Sequence, residues 1–257
     1  MSQTSRAHEP PSSRERPPSL LGDVAIGLIP LVAVSLAICW MFALPTSQVL
    51  VATALYAALG ALLLAKLPPS QRGPGLGAGN RLTLARATLV LPLASLALFP
   101  GAFEGPGNWW IVGLSTVALV LDGLDGPVAR RTRTESAFGA RFDMELDAFL
   151  LVALSVLLWR SGKVGPWVTL VGGLRYFFVL WGLLWMPLRG RLPPSRRRKV
   201  VAALQGIVLV TCLAPVTRPA LAGALAASAL FLLGYSFAVD TWWLAQTRPT
   251  AVKPPSA

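Results

Sequence analysis

The sequence predicts an all-α bundle that crosses a membrane about eight times. Three observations carry that expectation. Hydrophobic residues make up 54% of the chain and charged residues only 13%, about half the charge of a water-soluble globule. Apolar runs near the ~20 residues needed to cross a bilayer recur from Leu20 to the C-terminal tail. When those runs are ordered as spans, 19 of the 23 Lys and Arg fall on one side. The positive-inside rule makes that crowded side cytoplasmic.

Residues 1–19 are rich in Ser, Pro, Arg and Glu with no hydrophobic period, and read as a disordered cytoplasmic tail. The run 20–44 is too long for the apolar part of a signal peptide and lacks a clear small-residue cleavage site, so it is the first span. Pro30 can kink it, as membrane helices tolerate. The second span is 47–67, so residues 20–67 supply two extra N-terminal transmembrane helices. Residues 68–82, largely PPSQRGPGLGAGN, are a flexible cytoplasmic linker. The spans 83–100, 109–130, 141–160, 165–187, 199–215 and 219–246 then form a six-helix membrane domain over 83–246. A cytoplasmic tail, 247–257, follows. The loop between the third and fourth spans carries Pro and Gly but no Lys or Arg, as an external loop should. Trp109 and Trp110 fall where an interfacial aromatic belt belongs. An even number of spans puts both termini on the cytoplasmic side, in accord with the basic residues near each end.

The same composition excludes several functions. The net charge is +12, but it is divided among short loops between spans, so nucleic acid is not an expected partner. Cys39 and Cys212 lie inside apolar runs and give neither a disulfide framework nor metal-ligand spacing. The lone histidine, His8, sits in the polar tail, which excludes histidine-based catalysis.

The informative stretch is LDGLDGPVARRTRTESAFGARFDMELDAFL, residues 121–150. It holds D-x2-D-G-x2-A-R-x8-G-x3-D-x3-D at Asp122, Asp125, Gly126, Ala129, Arg130, Gly139, Asp143 and Asp147. Acids inside membrane segments are expensive and by default functional. Asp122, Asp125, Gly126 and Ala129 share one helix face, and Gly139, Asp143 and Asp147 share a face of the next, antiparallel helix. Asp125 and Asp143 each fall about 5–10 Å inside the cytoplasmic end. Four carboxylates can therefore converge in a pocket open to the cytoplasm. Ionised carboxylates crowd together only around cations, and oxygen ligands without His or Cys favour Mg²⁺ or Mn²⁺, expected here as two ions. A two-metal cluster would bridge the diphosphate of a nucleotide donor. Gly126 and Ala129 leave room for that donor at the backbone, and Arg130 can pair with its phosphate.

This pattern resembles the signature of the CDP-alcohol phosphatidyltransferases, integral membrane enzymes of phospholipid synthesis. NRLTLAR (Asn80, Thr83, Arg86) resembles the family's N-x2-T-x2-R lead-in, and KVVAALQ (Lys199, Gln205) its K-x5-Q element. The resemblance spans about residues 80–245, and none is seen before residue 80. It implies Asp122, Asp125 and Asp143 as metal ligands, with Asp147 as ligand and catalytic base. Asn80, Thr83, Gly126, Ala129, Arg130, Gly139 and Lys199 are the corresponding candidates for substrate binding. It implies transfer of a substituted phosphate from a CDP-alcohol, with CDP-diacylglycerol the first choice, to a hydroxyl acceptor, neutral or phosphorylated, with release of CMP. Membrane lipid and a second copy of the chain are further expected partners. The expected location is the cell (inner) membrane, with the site facing the cytoplasm.

A rival reading from another class is a cation transporter, since acids within spans also mark ion pathways. It would need polar groups through the whole depth of the membrane, whereas the acids cluster in the cytoplasmic third. Other polar residues in spans have local explanations. Glu145 lies about 200° around the helix from Asp143 and should face away, toward an ion pair with another helix. Asp240 can partner a basic group. Arg175, near mid-membrane, can pair with an acid or bind an acidic headgroup. Arg141, Arg175 and the run Arg196–Lys199 could also rim a pocket for a phosphorylated acceptor, or simply obey the positive-inside rule.

Overall fold

The computed structural model describes residues 20–66, 76–103, 108–132, 136–184 and 195–246. The side chains of Asp125 and Ala129 lie outside that description, as do both tails and most of the linker. The described residues form eight α-helices and no strand. These are α1 (Leu20–Phe42), α2 (Ser47–Lys66), α3 (Gly77–Ser95), α4 (Asn108–Arg131), α5 (Ala137–Arg160), α6 (Thr169–Leu184), α7 (Arg196–Leu213) and α8 (Pro219–Gln246). Each predicted span corresponds to one helix, and the eighth coincides with α8 to the residue.

The start of α3 differs from the expectation. It begins at Gly77, so residues 77–82 of the stretch read as linker are helical. The cause lies in α1. The Leu76 N–H donates to Asp23 Oδ2 at 2.9 Å, and Arg81 Nε pairs with Asp23 Oδ1 at 2.9 Å. A buried carboxylate at a helix N-terminus satisfies an otherwise orphaned amide and complements the helix dipole. Gly77 has φ 73°, a left-handed conformation that costs glycine no Cβ clash.

Five helical stretches are long and apolar enough to cross a bilayer: Leu20–Phe42, Ser47–Lys66, Gly77–Leu98, Trp109–Val128 and Pro219–Leu244. Two of the others are more polar: α5 carries Arg141, Asp143, Glu145 and Asp147, and α7 opens on Arg196–Lys199. The protein is a polytopic helical membrane protein whose surface matches that solvent. Trp40, Leu50, Phe231 and Trp242 are all more than two-thirds exposed, which lipid accommodates and water would not.

Helix α3 is the centre of the bundle. Within its apolar span 61% of residues are buried, against 18–28% in the other four. It packs against α1, α2, α4 and α5. The two N-terminal helices are bound to it by polar contacts in an apolar setting, where each such group must find a partner. Gln48 Nε2 on α2 donates to Ser95 Oγ (2.8 Å) and to the Pro92 carbonyl (3.3 Å). Tyr56 Oη donates to the Val24 carbonyl at 3.0 Å, and Gly27 leaves the space its hydroxyl occupies. At the far side of the bundle, Lys163 Nζ donates to the carbonyls of Cys212 (3.2 Å) and Ala214 (2.5 Å), completing the C-terminal end of α7. The two cysteines are free and buried.

The α5–α6 contact depends on one glycine. A Cβ on Gly172 would lie 2.4 Å from Val152 Cα and 2.6 Å from its backbone nitrogen, neither of which can rotate away. Gly172→Ala is therefore expected to push the helices apart and to lower stability by about 1–3 kcal/mol, the usual cost of overpacking. A melt in detergent compares it with Gly173→Ala, where a Cβ meets nothing within 4 Å. Equal melting of the two variants would refute this account of the contact.

Candidate active site

Three helices build the site. Helix α4 contributes Asp122, α5 contributes Asp143 and Asp147, and the buried α3 contributes Arg86. Ser136 starts α5: its Oγ accepts from the Gly139 N–H at 2.9 Å with the residue in an extended conformation, as an N-cap requires. That start fixes the phase that brings Asp143 and Asp147, one turn apart, to the same face.

The carboxylates of Asp122, Asp143 and Asp147 each offer an oxygen within 4.8 Å of the others. Arg86 lies in their midst, with no exposed side-chain surface. Its Nη1 is 2.8 Å from both Asp122 Oδ1 and Asp143 Oδ1, and its Nη2 binds Asp147 Oδ1. The three acids remain 34–39% exposed, so the cluster is closed by arginine on its inner side and accessible on its outer side. Three carboxylates against one guanidinium leave two negative charges. That residue of charge and the oxygen-only donors fit a hard divalent cation.

The predicted site residues divide accordingly. Asp122, Asp143 and Asp147 are brought together. Asp125 and Ala129 occupy the same turns of α4 as Asp122 and Arg130, with their side chains outside the described set. Gly126 leaves room for the Arg130 guanidinium, whose Nη1 would sit 3.3 Å from a Cβ there. Gly139 receives Asn80: a Cβ at 139 would meet Asn80 Oδ1 at 2.2 Å, while Asn80 Nδ2 donates to the Leu76 carbonyl. Thr83 is buried on α3, its Oγ1 donating to the Gly79 carbonyl at 3.2 Å. Asn80 thus packs against Gly139 at the α3–α5 junction, while Thr83 bonds back within α3. Lys199 is exposed at the start of α7, and Gln205 is buried, its Nε2 donating to the Ala229 carbonyl at 3.0 Å.

Arg86, which in sequence stands only in the flanking NRLTLAR motif, is the residue that gathers the three acids. Of the other basic groups considered for an acceptor rim, three are paired elsewhere and Arg141 faces a different cavity. Arg175 pairs with Glu145 at 2.8 Å, and Asp240 binds Arg197 and, at 3.4 Å, Arg198. Arg141 is directed about 160° around α5 from Asp143 and lines a different cavity.

Two curated proteins frame this geometry. A CDP-diacylglycerol–glycerol-3-phosphate 3-phosphatidyltransferase of Pseudomonas fluorescens is 31% identical over 161 residues, 58% of this chain and 76% of that protein. An ethanolaminephosphotransferase 1 of Mus musculus is 38% identical over 81 residues, 31% of this chain and 19% of that protein. No solved structure matches. The model of the CDP-alcohol phosphatidyltransferases matches residues 77–239, from the first residue of α3 into α8, and the chain belongs to that family.

Proposed function

We propose that this protein transfers a phosphatidyl group from CDP-diacylglycerol to a hydroxyl acceptor and releases CMP. The observation that carries the proposal is the meeting of Asp122, Asp143 and Asp147 on two adjacent helices, within a chain of this family. The likeness to the Pseudomonas CDP-diacylglycerol–glycerol-3-phosphate 3-phosphatidyltransferase supports a diacylglycerol-bearing donor and admits a phosphorylated acceptor. The transporter reading falls away with family membership, since the family's activity is CDP-alcohol phosphotransfer.

In this mechanism Asp122, Asp143 and Asp147, joined by Asp125, would hold divalent metal, Mg²⁺ or Mn²⁺. Bound there, the metal would neutralise the donor's diphosphate and the charge that develops on the leaving phosphate. Arg130, exposed at the cytoplasmic end of α4, is placed to pair with a donor phosphate by charge-assisted hydrogen bonds. Gly126 keeps that guanidinium close to the helix. Asp147 accepts the proton of the acceptor hydroxyl. The acceptor oxygen bonds to the β-phosphorus as the bond from that phosphorus to the bridging oxygen breaks, and CMP departs with the electron pair. Asn80 and Gly139 hold α3 against α5, and Thr83, buried on α3, stands as a candidate for substrate binding. Lys199, exposed in the first turn of α7, stands as a candidate for substrate binding. The family match begins at residue 77, which supports reading α1 and α2 as an addition to a six-helix core. The basic residues support a cell-membrane location with the site toward the cytoplasm.

The test uses purified protein in sealed vesicles of known sidedness. Labelled CDP-diacylglycerol is offered with glycerol phosphate, inositol phosphate, serine or phosphatidylglycerol, and CDP-ethanolamine with diacylglycerol. CMP release and a phosphatidyl product with one acceptor are expected, only when the basic face meets the soluble acceptor. Asp147→Asn should lower turnover far more than donor affinity, with sequential kinetics. Use of CDP-ethanolamine alone would replace the donor assignment, and a trapped covalent enzyme intermediate would contradict direct attack.

A further inference from the structure

A second cavity, of about 770 Å³, lies on the side of α5 away from the acids. Its walls come from α2 (Leu55, Leu59, Leu62), α5 (Phe142, Phe149) and α6 (Tyr176). It is of the size that holds a specific ligand, and its lining is overwhelmingly apolar. Two cations line it: Lys66 closes α2 and Arg141 lies in the second turn of α5, helix ends that alternating spans bring to the same side of the membrane. Lys66 is the last residue of α2, so the apolar wall from Lys66 to Leu55 runs about 16 Å into the membrane, the depth of one leaflet. The acid in the lining, Glu145, is already paired with Arg175 at 2.8 Å and does not neutralise the two cations.

We propose that this groove is a binding site for an anionic glycerophospholipid, its phosphate held by Lys66 and Arg141 and its acyl chains laid along α2 and α5. The charge arrangement selects the lipid. A zwitterionic headgroup would bring a cation against two cations, whereas an anionic headgroup meets those two cations, with the acid of the lining, Glu145, already paired with Arg175. Arg141 is thereby assigned to lipid binding at a site that α5 separates from Asp143 and Asp147. Most of one wall belongs to α2, so the two N-terminal helices gain a function: they turn an open flank of α5 into a groove. Bound lipid would brace α2 against α5, the helix that carries two of the three clustered acids.

Native mass spectrometry of the full-length protein, purified in detergent and titrated with phosphatidylglycerol or phosphatidylcholine, tests the proposal without reference to transfer activity. One tightly held phosphatidylglycerol per chain is expected, with phosphatidylcholine held more weakly. In the double variant Lys66→Gln/Arg141→Gln the preference should fall roughly 30-fold, since each juxtamembrane cation contributes about fivefold. Both residues are exposed, so the variant should fold. Leu59→Trp, which fills the groove and leaves both cations in place, should lower retention of either lipid. An unchanged preference in the double variant, or equal retention of the two lipids by wild type, overturns the proposal. So does a dimer that Leu59→Trp splits while no lipid is retained, since the groove would then be an interface between copies.

Discussion

Asp122→Asn, Asp143→Asn and Asp147→Asn are each expected to reduce transfer by roughly 10³-fold. A metal cluster supplies several kcal/mol of charge stabilisation in the transition state, and each 1.36 kcal/mol is a factor of ten. Chelation of the wild-type protein should have the same effect, reversed by Mg²⁺ or Mn²⁺. The sign of the accompanying stability change separates this loss from misfolding. Arg86 holds three carboxylates, and replacing one leaves it still paired with two. Mutual repulsion among the acids falls at the same time. Melting temperature in chelator should therefore not drop in these variants, although activity is lost. Full activity in excess chelator would sink the metal assignment, and a large loss of metal-free stability would show the acids to be structural.

The helices and the acidic face were legible in the sequence because both rest on local periodicity. Apolar runs of bilayer length mark the spans whatever their neighbours, and α8 was placed without error. The offsets between Asp143, Glu145 and Asp147 were enough to point Glu145 away from the acids. Its partner, Arg175, lies 30 residues further on and could only be offered as one option. What was not legible depends on contacts between distant segments. Arg86 meets Asp143 across 57 residues and Asp147 across 61, and nothing near Arg86 announces that partnership. In sequence it stood only as the last residue of the N-x2-T-x2-R element, with no partner indicated.

Asp23 was missed for a related reason. Its partners, Leu76 and Arg81, lie beyond a linker, in a stretch that Pro and Gly made look unstructured. A carboxylate in the first turn of an otherwise apolar helix was the available signal. The lipid groove is tertiary in the same sense. Lys66 and Arg141 are ordinary flanking cations until α2 and α5 are laid along one cavity, and only then do they line the same space.

Arg86→Gln gives the second large effect. The substitution removes the guanidinium and leaves three carboxylates facing one another without a cation. Breaking a buried ion pair from one side typically costs about 3–5 kcal/mol, and the lower end applies here because the acids retain about a third of their exposure. For a chain of this size about 3 kcal/mol corresponds to roughly 6–12 °C in apparent melting temperature, measured in chelator. Divalent metal should then recover more stability in Arg86→Gln than it adds to the wild type. The wild-type cluster already contains one fixed positive charge, while the variant has none, so the variant gains more from a bound cation. Arg86→Lys restores charge without the fork that spans three carboxylates, and should fall between the two. Melting of Arg86→Gln with the wild type in chelator, or an equal gain from metal in both, would mean that Arg86 does not hold the acids in register. The opposite result would make it the positioning residue that keeps three like charges together in a membrane before metal arrives.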